Sequence, residues 1–386
     1  MDKPQCFVCG TLLGESLYRS PARSLTSLCQ IHPTPTTVHA CAQCGHLQSE
    51  VLAEVDAYYD EDYDILVGSV EEDQIYEVRD GEPIYRTAHQ VDTLLAKLAL
   101  TPSIDLLDYG CAKSSSIRAL GEVISGVTPH LFDVSARYVP FWEKFVTPGN
   151  WAVNATPPEW NSRFDVVTSF FSLEHIPDPG ASMRHIASLL KERGIFYCVV
   201  PNVTTNIADF IVVDHCNHFT HPSLSRLMAE AGLELVEIDD MAHRGAFVLV
   251  ARKTASTVEA LHGNATRIAA TLVDVARIAD FWRSAADRVR THEAGLPEHE
   301  GVAIYGAGFY GAFIAASLAR PDRIACHLDQ NPFLQDKMFN GRPIRHPSEM
   351  QAAIRTVLVG LNPAHARRII ADIQALSARD LQYFYL

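Results

Sequence analysis

Short apolar segments alternate with helical patterns through the middle of the chain. Apolar residues bounded by turn formers predict seven strands: Ile104–Tyr109, His130–Val134, Trp151–Asn154, Phe164–Ser169, Ile195–Val200, Leu235–Ile238 and Ala246–Ala251. A helix is predicted to end at Ala231-Gly232, where glycine suits a left-handed cap. Strands that alternate with helices are typical of a parallel sheet with crossover helices. The pattern therefore predicts an α/β domain over residues 91–253.

Two further regions flank this domain. Residues 1–90 are rich in Cys, Pro, Thr and Tyr and have little periodicity. After residue 254, a long amphipathic pattern at Ser256–His292 predicts a helix, and a second strand–turn–helix pattern begins at Val302. We therefore expect an N-terminal module at 1–90, and a helical linker with a second Rossmann-like α/β domain at 254–386.

Composition narrows the class of protein. The 386 residues carry 32 Lys and Arg against 46 Asp and Glu, so the formal net charge is 32 − 46 = −14. An acidic surface repels phosphate backbones, which disfavours nucleic-acid binding. No run of about 18 apolar residues is present, and no apolar segment follows Met1, so we expect a cytoplasmic protein without a membrane span.

The first region contains two closely spaced cysteine pairs, Cys6-x-x-Cys9 and Cys41-x-x-Cys44. Each pair can bring two thiolates to one side of a tight turn, and two pairs complete a tetrahedral zinc shell. A closed shell of four cysteines has no open position, so the zinc is expected to be structural. Three residues between the pairs are weaker candidate ligands: Cys29, His32 and His39.

Residues that suit a nucleoside lie at the ends of the first three predicted strands and in the turn after the first. The small residues Gly110 and Ala112 follow Asp108 and let a ligand approach the backbone. Asp133 can accept hydrogen bonds from two ribose hydroxyls, and Asn154-Ala155 can meet an adenine edge. Phe170, after the fourth strand, completes the expected cofactor set. Because no phosphate-binding glycine motif occurs in this turn, a nucleoside without pyrophosphate is expected.

This arrangement resembles the class I S-adenosylmethionine-dependent methyltransferases. The resemblance continues through Phe164–Pro179, Leu189–Asn202 and Asp214–Ile238, in the family's order and spacing. The family carries glycine where this chain has Ala112 and Ser114, so a slightly displaced methionine moiety is expected. Lys113 is an unusual residue within such a turn.

The wider organisation is similar to the sugar C-methyltransferases of deoxysugar pathways, which methylate carbon beside a 4-keto group on a nucleotide-linked sugar. A cysteine module, a methyltransferase sheet and a C-terminal domain with Gly306-x-Gly308-x-x-Gly311 carry this resemblance. It also covers three shorter segments: His327–Pro332, Gly341–Ile344 and Val357–Asn362. The resemblance implies a small nucleotide-sugar acceptor.

A carbon acceptor needs a base that removes a proton next to the carbonyl. The resemblance implies that His215 is this base, with Asp214 orienting it or tuning its pKa. It also implies that His175 lies near the substrate. His218 belongs to the expected substrate site, together with a tyrosine, for which Tyr63 is preferred over Tyr58 and Tyr59. Histidines in such loops are also common scaffold residues, so transfer to oxygen or nitrogen stays open.

The C-terminal glycine motif has more than one interpretation. With Asp329 about 20 residues after it, the motif fits a dinucleotide fingerprint and leaves an NAD-dependent reductase or epimerase as an alternative. A second interpretation is that the glycines only allow a closely packed tight turn and bind no ligand. The interpretation we prefer is that Gly306 and Gly308 hold the acceptor's diphosphate at a helix N-terminus. A zinc-containing adaptor for protein or nucleic acid is a further alternative, and the oligomeric state, monomer or dimer, stays open.

Overall fold

The computed structural model describes residues 4–20, 24–53, 69–79, 81–101, 103–255 and 265–386. Its strands are β1 Tyr18–Arg19, β2 Ser24–Leu25, β3 Ile31–His32, β4 Thr37–Ala40, β5 Leu47–Ser49, β6 Ile75–Arg79, β7 Glu82–Tyr85, β8 Ile104–Tyr109, β9 Val127–Asp133, β10 Trp151–Val153, β11 Phe164–Phe170, β12 Leu190–Pro201, β13 Asn217–His218, β14 Leu233–Asp239, β15 Ala246–Lys253, β16 Val302–Tyr305, β17 Ile324–Leu328, β18 Met338–Phe339, β19 Arg342–Arg345, β20 Thr356–Val359 and β21 Gln382–Tyr385. Its α-helices are α1 Arg86–Lys97, α2 Ser115–Val123, α3 Val139–Trp142, α4 Pro179–Leu189, α5 His221–Glu230, α6 Ala265–Ala294, α7 Phe309–Ser317, α8 Pro363–Ala371 and α9 Gln374–Ser377. Among these described helices, none combines the length and the apolar character needed to cross a bilayer.

The central sheet has seven strands in the order β10-β9-β8-β11-β12-β15-β14. All seven predicted strands lie in it. Neighbours from β10 to β12 are parallel, whereas β15 is antiparallel to both β12 and β14. The sheet is therefore mixed rather than wholly parallel, because residues 240–245 reverse the chain between β14 and β15.

Both faces of this sheet are buried. Leu107 and Val167 belong to one apolar cluster, while their neighbours Leu106 and Val166 belong to another. Successive side chains of a strand point to opposite faces, so burial of both neighbours means that both faces are covered. This explains why these strands are continuous apolar runs without an alternating polar pattern.

The cysteine-bearing segments fold against the same core. Cys6 and Cys41 belong to the apolar cluster that contains Leu107. Strand β5 pairs antiparallel with β4, and its Gln48 lies opposite Asn217 of β13. The N-terminal cysteines therefore share a core with the central sheet.

The compact units differ from the predicted boundaries. One unit comprises the described residues within Met1–Leu17, Thr37–Asp209 and Asp214–Val275; the other comprises those within Tyr18–Thr36, Phe210–Val213 and Ala276–Leu386. The three predicted regions, 1–90, 91–253 and 254–386, do not anticipate this exchange of segments. It arises from contacts between residues far apart in sequence.

The second unit contains a six-stranded sheet in the order β18-β19-β17-β16-β20-β21. All of its neighbouring strands are parallel except β18 and β19. Two short segments also belong to this unit and are hydrogen-bonded to each other: Val213 N donates to Leu25 O at 3.0 Å, and Thr36 Oγ1 donates to Ile211 O at 3.1 Å. The expected second α/β domain is therefore present, enlarged by distant parts of the chain.

Candidate active site

The turn after β8 requires a close approach between backbone and side chain. Gly110 has φ +69°, and a Cβ at this position would lie 1.9 Å from Ser172 Oγ. Ala112 and Ser114 also have positive φ, +44° and +54°. A residue with a Cβ pays about 1–2 kcal/mol in the left-handed region. The turn thus keeps a glycine-type backbone at two positions where the sequence lacks glycine.

Asp133, the last residue of β9, is bonded to this turn. Its Oδ2 accepts from Ala112 N at 2.7 Å and its Oδ1 accepts from Ser135 N at 3.0 Å. Burial raises the pKa of the Asp133 carboxyl, while these backbone bonds oppose that rise. Each carboxylate oxygen has a second lone pair, so the group can still accept from ribose hydroxyls.

Asp108 holds the turn from the other side. Ser114 Oγ donates to its Oδ2 at 2.6 Å and Thr168 Oγ1 donates to its Oδ1 at 2.9 Å. Burial raises the pKa of Asp108 to about 7, although both hydrogen bonds favour the ionised form. The hydroxyl of Ser114 therefore supports the turn in which its own backbone is strained.

A cavity of about 570 Å³ opens at the carboxyl ends of these strands. Its volume lies within the usual range for small-molecule sites. The structure brings eight of the predicted residues to its wall: Asp108, Gly110, Ala112, Asp133, Asn154, Ala155, Phe170 and His175. The wall also includes residues that sequence reasoning missed: Asp73, Arg86, Thr87 and Gln90. They lie upstream of β8, and no motif marks them.

Lys113, unusual in the sequence, has a structural explanation. Its Nζ donates to the backbone oxygens of Ser69 and Glu72, each at 2.9 Å. Burial lowers the pKa of Lys113, while neighbouring acidic groups, Glu72 first among them, oppose that change. The lysine thus ties the turn after β8 to the chain segment that leads into Asp73.

A group of buried titratable side chains lies next to the cavity. His175 is on the cavity wall, and its Nδ1 lies 3.2 Å from the backbone oxygen of Asp214. That contact places the hydrogen on Nδ1 and leaves a lone pair on Nε2. Burial, reinforced by the neighbouring His215, lowers the pKa of His175 to about 4. His175 is therefore a neutral imidazole at physiological pH.

His215 packs edge-on against His175, with ring centroids 4.6 Å apart. Its Nδ1 lies 2.6 Å from Asp209 Oδ1. Burial alone lowers the pKa of His215, but the hydrogen bond and charge of Asp209 outweigh it and raise that pKa to about 9. Asp209, not Asp214, is thus the hydrogen-bond partner that orients His215, because the loop folds back to present it. Asp214 adds only a smaller electrostatic effect.

Glu174 completes this group. The ligand-type atoms of Glu174, His175 and His215 lie within 4.8 Å of one another. Burial raises the pKa of Glu174 to about 7, and its buried Oε2 has no hydrogen-bond partner among the described residues. Near pH 7, a carboxyl at the midpoint of its titration, a neutral imidazole and an imidazolium thus lie side by side.

The structure does not support His218 as a substrate contact. Its ring is buried, with Nδ1 bonded to Asp209 Oδ2 at 3.0 Å and Nε2 to Ser49 Oγ at 2.8 Å. The ring therefore joins β13 to β5 instead of facing the cavity. The tyrosines Tyr58, Tyr59 and Tyr63 lie outside the described residues.

Comparisons with known proteins agree with this geometry. The methyltransferase domain family matches residues 83–238. A ubiquinone biosynthesis O-methyltransferase from Xanthomonas campestris pv. campestris is 28% identical over 173 residues, covering 40% of this chain and 72% of the relative. A protein of the same name from Nitrosospira multiformis is 24% identical over 182 residues, covering 41% and 76%.

The chain contains a class I S-adenosylmethionine-dependent methyltransferase domain. Among solved structures, an S-adenosylmethionine-dependent methyltransferase from Mesorhizobium loti is similar with a TM-score of 0.37 and 14% identity, over 43% of this chain and 98% of that one. The match to the methyltransferase domain family and the methyltransferase relatives confirm the enzyme class expected from the sequence and support S-adenosylmethionine as its cofactor. The cavity of about 570 Å³ fits that cofactor, since its wall carries Gly110 at the turn after β8 and the Asp133 carboxylate at the end of β9.

Beside the methyltransferase domain, the four N-terminal cysteines converge. The Sγ atoms of Cys6 and Cys44 lie 3.6 Å apart, and those of Cys9 and Cys41 lie 3.5 Å apart. Each Cys-x-x-Cys segment forms a tight turn: Gly10 N donates to the backbone oxygen of Cys6, and Gly45 N donates to that of Cys41, both at 2.9 Å. Zinc–sulfur bonds of about 2.3 Å in a tetrahedron separate the sulfurs by about 3.8 Å. The cysteine cluster thus has dimensions that fit zinc.

The glycines of the C-terminal motif are explained largely by packing. A Cβ on Gly306 would lie 2.4 Å from Gly360 O, and one on Gly311 would lie 2.0 Å from Gly306 O. Gly308, which precedes α7, has open space at the corresponding position. Asp329 accepts hydrogen bonds from Ala307 N and Asn331 N, each at 2.9 Å. Only Gly308 therefore has room beside it for a ligand.

Proposed function

We propose that this methyltransferase transfers a methyl group to a carbon atom next to the keto group of a small nucleotide-linked sugar. S-adenosylmethionine supplies an electrophilic methyl group and leaves as a neutral thioether. The observation that carries the proposal is the position of His175: a neutral imidazole on the wall of the cofactor cavity, with an imidazolium behind it. Such a pair suits removal of a proton from carbon.

The residues divide the chemistry between them. The Nε2 lone pair of His175 takes the proton next to the carbonyl, and the electrons of that C–H bond pass into the carbonyl to form an enolate. The positive charge of His215, maintained by Asp209, stabilises the developing oxygen charge. The enolate carbon then forms the new C–C bond with the methyl group. In this proposal His175 replaces His215 as the base, and Asp214 positions His175 through its backbone oxygen.

O-methylation is the second candidate, and the names of the curated relatives favour it. In that case His175 would remove a hydroxyl proton. A third candidate, an NAD-dependent reductase or epimerase, draws on the glycine motif. As a separate proposal for the second unit, the N-terminus of α7, which follows Gly306 and Gly308 in the chain, binds a diphosphate group.

The experiment uses cofactor labelled with carbon-13 in the methyl group and a nucleotide-linked 4-keto sugar. A labelled signal in the C–CH₃ region of the product NMR spectrum is expected, whereas an O–CH₃ signal overturns the carbon assignment. His175→Ala should reduce turnover by about 10²–10⁴-fold and leave cofactor affinity unchanged. His299→Ala, an exposed residue, serves as the control. Undiminished turnover in His175→Ala would assign the proton transfer elsewhere.

We further propose that the cysteine cluster binds one structural zinc ion through Cys6, Cys9, Cys41 and Cys44. The sulfur separations support this assignment, as does the burial of Cys6, Cys41 and Cys44 in the core shared with the sheet. A metal held by four thiolates has no open position for substrate. The ion would therefore stabilise the methyltransferase unit without taking part in methyl transfer.

A further inference from the structure

His175 lies on a single 3₁₀ turn, Leu173–His175, in the loop between β11 and α4. The turn has few hydrogen bonds of its own: His175 N donates to Ser172 O at 3.0 Å, and Ile176 N donates to Leu173 O at 3.3 Å. Hydrogen bonds of this type have poorer geometry than those of an α-helix. The position of the turn, and of the His175 ring, therefore depends on contacts from other segments.

The side chain of Asn217, in β13, is hydrogen-bonded to both ends of this turn. Its Nδ2 donates to Leu173 O at 3.1 Å and to Ile176 O at 2.7 Å, and it lies 3.4 Å from Cys216 Sγ. The side chain is fully buried. In the flipped orientation, the amide oxygen would face two carbonyl oxygens, so the amide has one favourable orientation, with Oδ1 as its acceptor.

His46 holds the amide of Asn217 from the other side. Its Nε2 lies 3.2 Å from Asn217 Oδ1, so Nε2 carries the hydrogen of this bond. The other ring nitrogen, Nδ1, is buried and has no hydrogen-bond partner among the described residues. The backbone of His46 is bonded to the second cysteine pair, because Cys41 N donates to His46 O at 2.8 Å. Asn217 therefore connects the cysteine-bearing segment to the turn that carries His175.

The same stretch of chain also supplies the acceptor for the His175 ring. Asp214 O lies 3.2 Å from His175 Nδ1, and Cys216 Sγ donates to Glu174 O at 3.5 Å. A neutral imidazole has two tautomers, and the hydrogen bond at Nδ1 selects between them. Because Asn217 lies three residues after Asp214, one short segment fixes both the turn and the acceptor. Displacement of the turn would lengthen the bond to Asp214 O and allow the hydrogen to move to Nε2.

We propose that Asn217 is a positioning residue for His175: its amide, oriented by His46, holds residues 173–176 where Asp214 O accepts from Nδ1, and so keeps Nε2 unprotonated. Asn217 is not among the described residues of the cavity wall, so it acts through His175 and not on the substrate. The expected effect on turnover rests on the proposed function, in which His175 is the base. The effect on the tautomer of His175 does not depend on the acceptor.

Nitrogen-15 NMR of the full chain, labelled at histidine, tests this inference, with the His175 signals assigned by comparison with His175→Ala. In the wild type, His175 should be a neutral imidazole with its hydrogen on Nδ1 between pH 6 and pH 8. Asn217→Leu removes the donor and the acceptor at similar size, and should give a mixture of the two neutral tautomers. With the 4-keto sugar it should lower kcat by about 10- to 100-fold and change KM for the cofactor by less than about 2-fold.

Asn217→Asp is the conservative variant, and it keeps the test decisive if Asn217→Leu does not fold. Its carboxyl group still accepts from His46, but only the protonated form can donate to a carbonyl oxygen of the turn. Burial beside carbonyl oxygens should raise the pKa of the new carboxyl. The tautomer ratio and kcat should therefore approach wild type at pH 6 and depart from it at pH 8. A residue that only stabilises the fold would not change the tautomer of the folded protein with pH.

The same two substitutions at the exposed Asn161 are the matched controls and should leave the His175 signals unchanged. A single tautomer with hydrogen on Nδ1 in both Asn217 variants at pH 8 overturns the inference. Failure of the sugar proposal would appear separately: mixed tautomers in the Asn217 variants, together with no methylated sugar from the wild type, would support the positioning role and count against the acceptor.

Discussion

Asp209 joins two histidines that lie on either side of its carboxylate: Oδ1 lies 2.6 Å from His215 Nδ1, and Oδ2 lies 3.0 Å from His218 Nδ1. All three side chains are buried. His218 extends the connection to Ser49, so the carboxylate links strand β5 to the imidazole behind His175. One buried carboxylate thus serves both stability and the charge of the proposed site.

Replacing Asp209 with asparagine should destabilise the protein in a pH-dependent way. The pKa of His215 rises from 6.5 to about 9 on folding, so its stabilising contribution is complete below about pH 6.5 and is lost as the pH rises through 9. Asp209→Asn should lower the free energy of unfolding by about 3–5 kcal/mol at pH 6, and by less at pH 9.5. Urea unfolding at both pH values measures this difference.

Asp240→Asn, at an exposed position, is the control for that series and should behave as wild type. If Asp209→Asn lowers the free energy of unfolding equally at pH 6 and pH 9.5, His215 does not carry a charge that depends on Asp209. Turnover offers a second readout: wild-type activity should fall above about pH 9 as His215 loses its proton, and the variant should lose activity at lower pH.

The turn after β8 gives a steric prediction. Gly110→Ala should destabilise the unit and weaken cofactor binding, because the new Cβ would overlap Ser172 Oγ. Ala112→Gly should instead stabilise by about 0.5–1 kcal/mol, since it relieves a positive φ at the expense of a more flexible unfolded chain. Thermal unfolding and cofactor titration measure both effects.

Partial rescue of Gly110→Ala by Ser172→Gly in the double variant is the internal control for the overlap. If Gly110→Ala behaves as wild type, the close approach at this turn is not a constraint. Ser114→Gly should leave the free energy of unfolding unchanged, because the relief of backbone strain is offset by the loss of the hydrogen bond from Ser114 Oγ to Asp108.

The cysteine cluster predicts one zinc ion per chain. Cys41→Ser should abolish zinc binding and destabilise the methyltransferase unit, since Cys41 lies in the same apolar cluster as Leu107. Elemental analysis by mass spectrometry and thermal unfolding measure the two effects. Cys29 lies in the other compact unit, so the Cys29→Ser variant should retain the zinc ion and serves as the control. An unchanged zinc content in the Cys41→Ser variant would show that the four cysteines do not bind the zinc ion.

Local sequence patterns were sufficient for the strands and for the residues that follow them. Asp133 and Asn154 were predicted as wall residues because the carboxyl ends of parallel strands meet at one edge of the sheet. Gly110 was predicted to let a ligand approach the backbone, whereas the structure shows the side chain of Ser172 close to it. These inferences depended on spacing along a short stretch of chain.

Features that depend on distant segments could not be predicted in this way. The position of Asp73 beside Arg86 depends on the register of a hairpin whose strands carry no strong pattern. The partner of His215 is Asp209, five residues before Asp214, because the loop reverses direction. The assignment of residues 18–36 to the second unit depends on contacts with residues 210–213, which are nearly two hundred positions away.

Glu174 provides the final prediction. Folding raises its pKa from 4.5 to about 7, so the folded state binds this proton more tightly than the unfolded chain does. Its contribution to stability is therefore complete below about pH 4.5 and is lost as the pH rises through 7. Glu174→Gln removes that loss, and should increase the free energy of unfolding at pH 8 by roughly 1–3 kcal/mol relative to wild type, with little difference at pH 4. Urea unfolding at the two pH values measures it, and Glu192→Gln, on an exposed side chain, is the control. Equal stability of Glu174→Gln and wild type at pH 8 would mean that Glu174 ionises without cost, and that its buried Oε2 has a partner in solution.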